Sequence, residues 1–92
     1  MNTLTLDPIG YIVVAEVACG PQAEPILGKG LFCSIDCAAH EVRDLAVALG
    51  LLERGATFLA RHEGRPVGIA VTRGGRMWTV EVHSTHELAN NS

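Results

Sequence analysis

The sequence predicts an α+β fold: an antiparallel sheet of four to five strands with one helix packed on one face, in the order β-β-α-β-β-β. Three observations lead there. Residues 36–54 carry a single apolar stripe at helical spacing. Runs rich in β-branched residues, several with period-two alternation, stand before and after that helix. The chain has 92 residues, which suits one domain over 1–92 and one small core.

The elements follow in order. YIVVAEVA (11–18) is dense in β-branched residues and reads as a strand. CGPQAEPILG (19–28) holds two prolines and two glycines and reads as a loop. Lys29 to Ile35 reads as a second short strand, hairpinned to the first. DCAAHEVRDLAVALGLLER (36–54) is the helix, with Ala38, Val42, Leu45, Leu49 and Leu52 on one stripe. Ser34 or Asp36 suits its N-cap, and Gly55 suits the C′ position. Val47 is the one clearly apolar residue on the far side, and a single exposed valine needs no partner. Three strands follow: Thr57 to His62, Val67 to Thr72 and Met77 to His83, joined by the turns EGRP and RGGR. In the last two, Val67, Ile69 and Val71 alternate with Gly68, Ala70 and Thr72, and Trp78, Val80 and Val82 with Met77, Thr79 and Glu81. The expected core is Ile12, Val14, Leu31, Val42, Leu45, Leu49, Leu52, Leu59, Val67, Ile69, Val71, Val80 and Val82. The polar tail 86–92 is expected to fray.

Composition narrows the function classes. Apolar residues make up 48% and charged residues 18%, against a usual charged share of about 25%. One helix covers only one face of such a sheet, and the first strand is apolar on both sides. The uncovered face therefore calls for a second copy or a foreign protein, with Tyr11 and Val13 the expected contacts. No apolar run approaches the roughly 18 residues of a membrane span. Residues 1–20 show no signal-peptide pattern. Three cysteines, an odd count, then suit a reducing, cytoplasmic setting.

FCSIDCAAH (32–40) is the stretch richest in chemistry: Cys33, Cys37 and His40 at 4- and 3-residue steps. A structural zinc site needs four ligands, so a second pair from His62 or from His83 and His86 would be required. Cys37 falls in the first helical turn, where the macrodipole favours a thiolate, yet no base is placed beside it. The balance favours small buried side chains over a metal or catalytic site. GxSxG, GxxxxGK[ST], GxGxxG and HExxH are absent. No catalytic residue, cofactor or metal is expected, and the chain does not read as an enzyme.

Charge is unevenly spread over a net of −3. Residues 1–53 hold seven acids against Lys29 and Arg43, and residues 54–92 hold five arginines against three glutamates. Arg61, Arg65, Arg73 and Arg76 sit at hairpin ends near Trp78, the places where a partner's carboxylates or phosphates could be met. Yet the pI is near 5.7, far from the value of about 9 of a dedicated nucleic-acid binder. Nucleic acid is not an expected partner. The expectation is a non-enzymatic protein-binding module, dimeric, that masks or bridges a partner. Inhibitor and accessory proteins of phages and mobile elements, anti-CRISPR proteins included, are commonly chains of this kind. Two alternatives stand beside it: a metal or thiol protein using Cys33, Cys37 and His40, and a nucleic-acid accessory using the arginine hairpins.

Overall fold

The computed structural model describes residues 10–85. It is an α+β fold of the expected order: β1 Tyr11–Cys19, β2 Ile26–Leu27, α1 Ile35–Leu52, β3 Ala56–His62, β4 Arg65–Val71 and β5 Met77–Ser84. The five strands form one antiparallel sheet in the order β2-β1-β5-β4-β3, with α1 across one face. The tail expected to fray, 86–92, lies outside the described residues.

The helix begins where the sequence allows. Ser34 is extended and its hydroxyl accepts from Cys37 N–H at 3.1 Å, satisfying one orphan donor of the first turn. At the other end Arg54, with φ 55°, takes the left-handed C′ position expected of Gly55. Gly55 is the next residue and donates to Gly50 O at 2.7 Å, while Arg54 donates to Leu51 O. That pair of bonds is a Schellman closure. Glycine is needed at 55 for a different reason: any Cβ there would run into the Val71 carbonyl.

The second strand is not Lys29 to Ile35. Val14 and Ala15 pair instead with Leu27 and Ile26, inside the stretch read as a loop. Phe32 exchanges two 2.8 Å backbone bonds with Tyr11. The outer edge of β1 is thus covered by two short pieces, and the chain between them bends through Gly28 and Gly30.

The core is built from the residues opposite to most of those expected on the strands. Val13, Ala15, Ala70, Trp78, Val80 and Val82 face α1 and are buried. Gly68 faces it too: a Cβ there would sit 2.6 Å from Ala46 Cβ. The helix lies close over β4 because small residues meet there, Ala46 on α1 over Gly68 on β4 with Ala70 buried alongside, while Gly50 leaves room for the Thr57 hydroxyl of β3. Close packing leaves no volume for a branched side chain at that contact. Val67, Ile69 and Val71 are therefore turned to the opposite face, as are Ile12 and Val14, although Val14 is still covered by its neighbours. Leu31, Leu52 and Leu59, also expected inside, are 66%, 77% and 54% exposed. Val42, Leu49, Val80 and Val82 are buried as expected. Each such side chain contributes roughly 1.5–3 kcal/mol through burial.

Candidate functional site

Among the described residues, no element packs on the sheet face away from α1. Strand pairing sets its side chains in rows. Phe58 stands beside Ile69 and Thr79, Ala60 beside Val67 and Glu81, and Ala56 beside Val71 and Met77. Across β5, Glu16, Val14 and Ile12 stand opposite Thr79, Glu81 and His83. Phe58, Ile69, Val71 and Met77 make an apolar field over β3, β4 and the start of β5, bordered by the acids Glu81 and Glu16. Phe58 is 56% and Val71 39% exposed.

Tyr11 and Val13, the two apolar contacts expected for a partner, belong to the other face. Val13 is fully buried under the helix and Tyr11 packs against the same core. The reason is the register: Val13 pairs with Val82 and Tyr11 with Ser84, both on the helix side. Their outward neighbours Ile12 and Val14 occupy the places assigned to them.

The four arginines split into two pairs. Arg61 donates to Gly64 O at 2.9 Å and Arg65 to Val82 O at 3.1 Å, both beside the β3–β4 turn. Arg73 and Arg76 belong to the β4–β5 turn at the opposite end of β4. Seven residues of strand separate the two ends, about 20 Å at 3.3 Å per residue. Arg76 is a structural residue. Its guanidinium meets Glu53 Oε2 at 2.9 Å and Pro21 O at 2.7 Å, and lies 5.8 Å from the Trp78 ring centre. Glu53 Oε1 in turn accepts from Trp78 Nε1 at 3.2 Å. This Glu53–Arg76–Trp78 group was not apparent in the sequence. The one signal was a lone tryptophan whose N–H needs an acceptor when buried.

A shallow cleft of about 280 Å³ opens at the β3–β4 turn, lined among others by His62, Glu63, Arg65, Glu81 and His83. His83 Nε2 lies 3.5 Å from Glu81 Oε1, and His62 Nε2 lies 3.8 Å from Glu63 Oε2. These two pairs point a histidine at a carboxylate without any serine, threonine or cysteine among the lining residues. Such a set lacks the hydroxyl or thiol that a triad-type site pairs with its base.

Cys33 and Cys37 are brought together and His40 is not. The two sulfurs are 3.6 Å apart, and both residues are exposed rather than buried as expected. The Cys37 thiol is held below its usual pKa, first by the Ser34 hydroxyl and then by the Cys33 thiol, against the opposing charge of Asp36. Among the described residues no three His, Cys, Asp or Glu side chains converge in a way that could hold a metal ion. No helix among them is long and apolar enough to cross a membrane. Compared with known proteins, the chain matches no family model, no curated protein and no solved structure.

Proposed function

We propose that this is a non-enzymatic binding protein of the inhibitor or accessory type, which masks or bridges a partner protein through the sheet face that α1 leaves uncovered. The observation that carries the reading is the apolar field of Phe58, Ile69, Val71 and Met77. A folded domain exposes such side chains together at a cost unless something covers them. The acids at its border, Glu81 and Glu16, supply the polar rim that sets orientation in protein interfaces. The split of the arginines gives a phosphate backbone no continuous track. Free thiols at positions 19, 33 and 37 suit a reducing, cytoplasmic compartment.

Site-specific photo-crosslinking in the native host tests this. A benzophenone side chain at Val71 should give a discrete heavier product that is lost when Phe58→Asp is added. The same group at Asp36, on the exposed side of the helix, should not. A Val71 probe that labels nothing but a second copy of the chain would end the masking reading. A second reading, a thiol protein, is favoured by the 3.6 Å approach of Cys33 and Cys37 at a helix N-terminus. It would use the pair as a reversible dithiol, independently of the sheet face.

A further inference from the structure

We infer that β3 pairs with the β3 strand of a second copy, antiparallel and centred on Leu59, to give a closed dimer with a continuous ten-stranded sheet. This does not depend on what binds the open face.

The phase of the free backbone groups comes first. Thr72 N–H donates to Arg76 O at 2.8 Å, on the β5 side of β4. Backbone groups alternate along a strand, so Gly68 and Ala70 also bond toward β5, and Val67, Ile69 and Val71 bond toward β3. Their partners on β3 are Ala60, Phe58 and Ala56. The other set, Thr57, Leu59 and Arg61, directs its N–H and C=O groups away from the sheet. Among the described residues no backbone group pairs with them. The two-residue turn agrees: Glu63 and Gly64 both have positive φ, 53° and 80°, as a type I′ hairpin requires.

That exposed edge is complementary to itself. Antiparallel pairing about a two-fold axis at Leu59 sets Leu59 against Leu59 of the second copy, and Thr57 against Arg61 in both directions. All three outward residues are then paired by backbone bonds on each strand. On the open face Phe58 meets Ala60 and Ala56 meets His62, large against small each time. No like charges stand opposite one another. On the helix face the two Leu59 side chains, each 54% exposed in the single chain, fill the seam between the two helices.

Natural edge strands usually carry a lysine, a proline, a bulge or a cover. The middle of β3, Phe58-Leu59-Ala60, has none of these. The opposite edge of the sheet is guarded: there β2 is only the two residues Ile26–Leu27, directly after Pro25, and with Phe32 it occupies the outer side of β1. One long unguarded edge and one very short edge beside a proline favour a two-fold dimer over a growing ribbon.

Native mass spectrometry and amide exchange of the intact protein test this together. The wild type should be a dimer at micromolar concentration. Thr57, Leu59 and Arg61 amides should gain protection as concentration rises, while Phe58 and Ala60 stay protected throughout. An isotope-filtered experiment on a mixed-label dimer should show the Phe58 ring beside the Ala60 methyl. Leu59→Lys places two like charges on the axis and should weaken the dimer roughly a hundredfold or more. Leu59→Pro should do the same with β4 pairing intact, because only an outward N–H is lost. A protein that stays monomeric would overturn the proposal, as would protection of the outward amides independent of concentration, which means that the same chain covers the edge. So would a dimer that withstands both substitutions or lacks the Phe58–Ala60 contact. A folded Leu59→Lys monomer that still gives the heterologous Val71 crosslink separates this interface from the open face.

Discussion

Gly68→Ala is a test of where the helix lies. In an ordinary strand interior, alanine for glycine restricts the unfolded chain and stabilises by about 0.5–1 kcal/mol. Here the added methyl would stand 2.6 Å from Ala46 Cβ, with Val42 O at 3.4 Å and Val42 Cγ1 at 3.5 Å behind it. Carbon atoms prefer about 3.5–4.0 Å, so the helix must shift off β4 by most of an ångström. Overpacking of this kind costs about 1–3 kcal/mol. In a domain of this size each kcal/mol moves Tm by about 4–8 °C, so a 2 kcal/mol loss lowers it by about 8–16 °C. The reciprocal change, Ala46→Gly, costs about 1 kcal/mol of helix propensity and about 0.8 for the lost methyl. In the double variant the new methyl fills the space the old one left. Its loss should therefore fall short of the sum of the two singles by more than 1 kcal/mol. Urea titrations followed by the fluorescence of the buried Trp78 give all four corners of the cycle. If Gly68→Ala is stabilising, or if the cycle is additive within about 0.5 kcal/mol, then β4 does not turn its small residues to the helix. The assignment of Ile69 and Val71 to the open face falls with it.

Two further outcomes are expected. Glu53→Ala removes both the acceptor of Trp78 Nε1 and the partner of Arg76. It should cost about 1–2 kcal/mol in thermal melts and change the near-ultraviolet circular dichroism of Trp78, while Glu53→Gln, which can still accept from the indole, should cost less. The Cys37 thiolate is favoured in the folded chain by the Ser34 hydroxyl and the Cys33 thiol. Its alkylation by iodoacetamide, read by mass spectrometry, should therefore rise at lower pH than that of an ordinary thiol, and Ser34→Ala should move the rise upward. Because the folded pKa is the lower one, the matching stability is present above the unfolded value and is lost as pH falls through the folded one. Alkylation of wild-type Cys37 with the pH profile of a free thiol would leave the thiol reading with the sulfur–sulfur approach alone.

Apart from β2, the elements were legible in the sequence because alternation and helical spacing are local patterns. The faces were not. On β4 the pattern V-G-I-A-V-T says only that branched and small residues alternate, and the usual inference puts the branched ones inside. That inference assumes a helix at ordinary distance. The helix stripe carries the correction, since its buried positions include Ala38, Ala46 and Gly50. A helix with small residues on its inner face approaches closely and demands small residues beneath it. Small set against small, Ala46 over Gly68, was available to sequence reading as a pair, though neither half decides it alone. β1 gave no help, being apolar on both sides, and β2 hid behind Pro25. Glu53, Arg76 and Trp78 are 23 and 25 residues apart, and no local pattern joins them. The misplaced faces and the candidate surface have one physical cause. A close helix displaces Val67, Ile69 and Val71 from the core, and they come to rest beside Phe58. An apolar share of 48% in a chain this short is then accounted for by a sheet with two apolar faces, one filled by small residues under α1 and one built of branched residues that α1 does not reach.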